Sequence, residues 1–169
     1  HAKTLHEMAM ALYSDAGDEY NMANSRHNLA VQLVHLGDIR AANELNLQNA
    51  AYYEQAQDPI GLANSYANLT VSHGLLGDDQ SAIQFGEMAM SVARRENLGM
   101  FVAMILNNLG QAYLRLGELA RAEACFQESE HIAFTQGFGY LNIDRELAWG
   151  RLREAQGDTV AAAEANRRA

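Results

Sequence analysis

Asparagines recur at one register in this chain, and a side-chain amide carries a particular chemistry: two N–H donors and a carbonyl acceptor on one group. Asn28, Asn68 and Asn108 stand 40 residues apart. One helical turn ahead of the first two stand Asn24 and Asn64, with Met104 in the third place. Three residues after the asparagines come Val31, Val71 and Gln111, and the same position next falls on Arg151. Spacings of four and three put these positions on one face of a helix. Such a face can hydrogen-bond an extended peptide backbone whatever its sequence. The same asparagines can instead serve local helix packing, and the spacing leaves both readings open. Arg115, four residues after Gln111, adds a cation able to meet an acidic side chain.

No other constellation has the spacing that catalysis needs, a nucleophile, base or metal held in a cleft. The chain has no glycine-rich phosphate loop, HExxH, CxxC or elbow serine, so neither an enzyme nor a cofactor is expected. The six histidines are scattered. His27 and His73 sit at different offsets within the 40-residue period, which favours surface or core histidines over a metal site. The single cysteine, Cys125, excludes an internal disulfide and falls on an apolar helical face, where a core thiol is expected. The methionine pairs Met8/Met10 and Met88/Met90 fall on second helices, where core packing is favoured over a promiscuous contact surface.

The elements that must position the asparagines follow from the period itself. Gly37, Gly77, Gly117 and Gly157 are 40 residues apart without insertion, in the strings HLGD, LLGD, RLGE and AQGD. Five residues after each stands Ala42, Ala82, Ala122 or Ala162, and eight before stands Leu29, Leu69, Leu109 or Trp149. Leu29, Leu33 and Leu36, and likewise Leu109, Tyr113 and Leu116, make the apolar stripe of an amphipathic helix. The glycine ends that helix in a left-handed conformation, and Asp38, Asp78 or Asp158 is placed to cap the next one, with Glu118 a weaker cap. Small residues at Ala30, Thr70, Gly110 and Gly150 let the two helices cross closely. Asp58-Pro59 reads as a cap with proline in the first turn of a new helix. The pattern predicts nine helices, near 1–16, 19–36, 38–56, 59–76, 78–97, 99–116, 118–136, 139–156 and 158–169.

These leucine, small-residue, glycine and alanine columns resemble the tetratricopeptide repeat, in its long 40-residue form, over essentially all 169 residues. The resemblance implies an all-α solenoid of antiparallel helix pairs with a right-handed superhelix, about four repeats long. The expected units are a partial one at 1–18, then 19–58, 59–98, 99–138 and 139–169, a single domain cut from a longer protein. It also implies that first helices line a concave groove. Asn24, Asn28, Asn64, Asn68, Asn108, Gln111, Arg115 and Arg151 then form its floor, and the partner is a protein or peptide. The basic clamp by which some relatives hold a C-terminal carboxylate wants lysines, and the only lysine, Lys3, lies outside that groove. The chain is accordingly expected to be an interaction module that binds an extended segment in this groove, as the sensory or partner-binding region of a bacterial regulator; the alternative is a structural self-association module of a larger assembly.

Composition sets the remaining bounds. A net charge of −9, with one lysine against eleven arginines, argues against non-specific binding of nucleic acid or an anionic membrane. No apolar run approaches the roughly 18 residues of a membrane span, and a cytoplasmic location is the default expectation. Leu5, Met8 and Leu12 form an apolar stripe on the first predicted helix, from which a homodimer through the solenoid ends is expected.

Overall fold

The computed structural model describes residues 2–137 and 142–168. Among them the chain forms helices only: α1 (Ala2–Ala16), α2 (Glu19–His35), α3 (Ile39–Gln55), α4 (Pro59–Leu75), α5 (Asp79–Arg95), α6 (Gly99–Arg115), α7 (Leu119–Gln136), α8 (Asn142–Ala155) and α9 (Thr159–Arg168). Every boundary expected on a described residue lies within two residues of its expected place; those expected at 1, 139 and 169 lie outside the described residues. Consecutive helices pack against each other, and α4, α6 and α8 also meet in series, which is the neighbour-to-neighbour stacking of a solenoid.

The backbone repeats twice as often as the sequence. Left-handed residues recur every 20 positions, at Gly17, Gly37, Gln57, Gly77, Asn97, Gly117, Gly137 and Gly157. The turn within a unit and the turn between units therefore share one geometry. At the first kind, Gly37 N donates to Val34 O and Asp38 N to Leu33 O; at the second, Gln57 N donates to Glu54 O and Asp58 N to Tyr53 O. Both are the paired bonds that close a helix on a left-handed residue. The next residue caps the following helix: the carboxylates of Asp18, Asp38, Asp58, Asp78 and Asp158 accept backbone N–H bonds, while Glu118 and Leu98 make no side-chain cap.

Only two of these left-handed positions lack glycine, and Gln57 at φ 53° is the poorer fit, since asparagine tolerates the region better. Gln57→Gly should therefore stabilise the fold by on the order of 0.5–1 kcal/mol. A urea midpoint that falls instead would mean that the glutamine side chain contributes more than its backbone strain costs.

The core follows the expected columns except at the end of the leucine stripe, where Leu36 and Leu116 are exposed. Ala42, Ala82, Ala122 and Ala162 are buried, as are Leu29, Leu69 and Leu109 and the small residues Ala30 and Thr70. One apolar cluster joins α2 and α3, and a larger one runs from α4 to α8. Between them α3 buries three amides, Asn43, Asn46 and Asn49, with the Asn49 Nδ2 donating to Ala23 O at 3.0 Å. In the last unit, the polar residues that replace the apolar stripe find partners. The Arg153 guanidinium lies 5.0 Å from the Trp149 ring centre and 3.3 Å from Glu123.

Cys125 packs against the larger cluster, and burial pushes its thiol above the ordinary range. The methionines divide rather than all entering the core: Met10 and Met90 pack inward, while Met8 and Met88 are exposed. Leu5, Met8 and Leu12 are each more than half exposed, so the α1 stripe is open.

Candidate peptide-binding groove

The first helices α2, α4, α6 and α8 carry the eight candidate residues, and tertiary packing treats them differently. Asn28 is exposed on α2, and Asn24 is half-buried, accepting from the Tyr53 hydroxyl at 3.4 Å. Asn64 is half-buried on α4. Asn68, one turn further, is an inter-unit tie: its Nδ2 lies 3.2 Å from His27 Nδ1 and 3.5 Å from Asn46 Oδ1. Burial holds the His27 imidazole below its ordinary pKa, and a neutral ring with its proton on Nε2 leaves Nδ1 to accept that bond. The Asn68 donor is thus already engaged by the scaffold.

Asn108, Gln111 and Arg115 come together. They line one wall of a cleft of about 330 Å³ between α4 and α6, facing Thr70, Val71 and Leu75. Val71 is 41% exposed, an apolar side chain open to solvent among the amides. The cleft combines side-chain amides for a backbone, an aliphatic wall and one guanidinium. Arg151 is exposed on α8 and does not line this cleft.

Three neighbours of these side chains escaped the asparagine pattern. Asn107 also lines the cleft, and its Oδ1 is buried with no partner among the described residues. Asp79, nearly buried at the start of α5, accepts from Arg115 Nε at 2.7 Å. Gly74 leaves the space that Arg115 fills, since a Cβ there would lie 2.4 Å from Nη2. A signal for the last two was present in the sequence: Gly74 falls between Val34 and Leu114 in a column that ends on Glu154, and Asp79 between Ile39 and Leu119 in one that ends on Thr159. Departures from the repeat mark positions that the scaffold does not dictate.

The histidines take separate places. His27 meets Asn68, whereas His73 pairs with Asp78 at 3.2 Å and packs on the Phe85 ring. Among the described residues no group of three or more histidine, cysteine or acidic side chains converges as a metal site. No described helix is long and apolar enough to cross a membrane.

Residues 61–133, which hold the cleft and the units on either side of it, match the family model described as tetratricopeptide repeat. That segment carries tetratricopeptide repeats. Among solved structures it is similar to BtubC (BKLC) from P. vanneervenii, with a TM-score of 0.67, 20% sequence identity, and coverage of 99% of this chain and 86% of that one. At that identity the likeness concerns the fold. No curated protein matches the chain. Tetratricopeptide repeats as a family mediate protein–protein contacts and typically serve as non-enzymatic scaffolds.

Proposed function

We propose that the face formed by α2, α4, α6 and α8 is a concave groove that binds an extended segment of a partner protein, with its centre at the α4/α6 cleft. The observation that carries this reading is the convergence of Asn108, Gln111 and Arg115 opposite the exposed Val71. Amides pair with the backbone of a bound chain, and the valine takes one of its apolar side chains. The 40-residue repeat and the eleven arginines against one lysine favour the partner-binding region of a bacterial regulator as its setting.

Asn108 is the residue to test, because Asn68 is tied into the scaffold. A typical hydrogen bond contributes roughly 0.5–1.5 kcal/mol, so Asn108→Ala should weaken a bound peptide about two- to tenfold per bond lost, at 1.4 kcal/mol per decade. Its thermal midpoint should stay near that of the parent. Asn68→Ala should lower the midpoint as well as affinity. The peptides are those selected by panning a random dodecapeptide display library on the chain. Selected peptides that bind Asn108→Ala and the parent equally would end the groove assignment.

The exposed Leu5, Met8 and Leu12 favour a second reading, self-association through α1. Sedimentation at rising concentration reads it directly, and a constant monomeric mass at the highest concentration would exclude it.

A further inference from the structure

A second opening lies away from the α4/α6 cleft, between the second helices α3 and α5, with α4 beneath. It encloses about 640 Å³, floored by Leu62, Tyr66, Met88 and Val92. Its rim carries Glu54, Asp58 and Glu96 against a single guanidinium, Arg95, whose Nε donates to Glu96. Met88 is 44% exposed, so the floor is wet.

We propose that this crevice is a docking surface for a basic amphipathic segment of a partner protein, which lays a lysine or arginine stem across Tyr66 and Met88 and sets its cation among the rim carboxylates. The chemistry matches at both ends. The methylenes of a long basic side chain cover apolar surface while the charge stays at the rim, and a tyrosine face attracts a cation. The local potential is negative: Glu54 adds to burial in raising the Tyr66 phenol, and Asp58 does the same at Tyr53. The net charge of −9 favours approach of a basic chain.

The neighbouring units supply internal controls. Forty residues earlier the same opening recurs, about 780 Å³, but Arg26 stands in the place of Tyr66 and Gln48 in that of Met88. Forty residues later Arg94 replaces Glu54 and Glu128 replaces Met88, and the two join at 2.7 Å. The first opening keeps a carboxylate, Glu19, and an aromatic ring, Tyr52, beside Arg26. The repeat therefore provides the position, while three carboxylates around Tyr66 and Met88 occur at the α3/α5 step alone of these three. The scaffold does not require that combination.

The test uses the full ¹⁵N-labelled chain and three acetylated, amidated octapeptides that share their leucines and differ only in carrying arginine and lysine, glutamine, or glutamate. The basic peptide should shift the backbone resonances of Glu54, Leu62, Tyr66 and Met88 and bind at least fivefold more tightly than the glutamine peptide. Tyr66→Arg installs the residue that the first unit carries at this register and should reduce the affinity at least tenfold. Glu54→Gln, on the exposed rim, should reduce it two- to fivefold and serves the same purpose if Tyr66→Arg proves unstable. Equal affinity for the three peptides, shifts spread over all acidic surfaces, or no shift at millimolar peptide would each overturn the proposal. Shifts confined to Asn108 and Gln111 would also overturn it, while supporting the groove.

Discussion

Replacing Phe126 with alanine should lower the unfolding free energy by roughly 3–5 kcal/mol, the range for deleting a fully enclosed aromatic side chain. Phe126 has no exposed surface and is among the largest side chains of this core. It leaves α7, lies on Gly110 of α6, and sits 5.8 Å from the Trp149 ring of α8. The cavity would thus open at the junction of two units, where a solenoid's cohesion resides. Against a total stability of roughly 5–15 kcal/mol, such a loss is large enough to move the urea midpoint plainly, followed by far-ultraviolet circular dichroism. A change below about 1 kcal/mol would mean that the neighbouring helices collapse onto the gap and that the packing account is wrong.

Gly110→Ala should also destabilise, although helix propensity points the other way. Alanine in place of an interior helical glycine is worth about 1 kcal/mol in favour of the helix. Here the new methyl would meet Phe126 Cε1 at 2.4 Å and Cδ1 at 2.7 Å. The ring has Trp149 behind it and no solvent to move into, so overpacking of roughly 1–3 kcal/mol outweighs the propensity gain. The expected result is a net loss of up to about 2 kcal/mol by these two terms. Phe126→Leu in the same chain should recover part of it, since residues in contact do not act additively. A single variant more stable than its parent would show that the ring can shift.

The α4/α6 cleft was partly legible. Helical periodicity placed Asn108, Gln111 and Arg115 on one face, and they do line one wall. The same periodicity treated Asn68 as their equivalent, yet its donor is engaged with His27 and Asn46. The reason is that α3 buries amides where a polar residue ordinarily faces water. Asn46 and Asn49 are covered because neighbouring units close over them, and their burial is not written in the spacing of their own helix.

The sequence by itself determined the helices and their ends. Gly37-Asp38 and Gly77-Asp78 each encode a left-handed stop and a cap through bonds spanning three to five residues, so residue type decides them locally. The alanine and leucine columns determined which faces are buried. Gln57 shows the limit of local encoding: its residue type does not favour the left-handed backbone that it adopts. Tertiary structure alone decided which polar groups meet. Asn68 reaches His27 across 41 residues and Arg115 reaches Asp79 across 36. Such pairs form only where the crossing of helices from successive units brings two side chains within about 3 Å, the distance of a hydrogen bond. A one-dimensional period places each residue on a face; it does not say how far that face stands from the next.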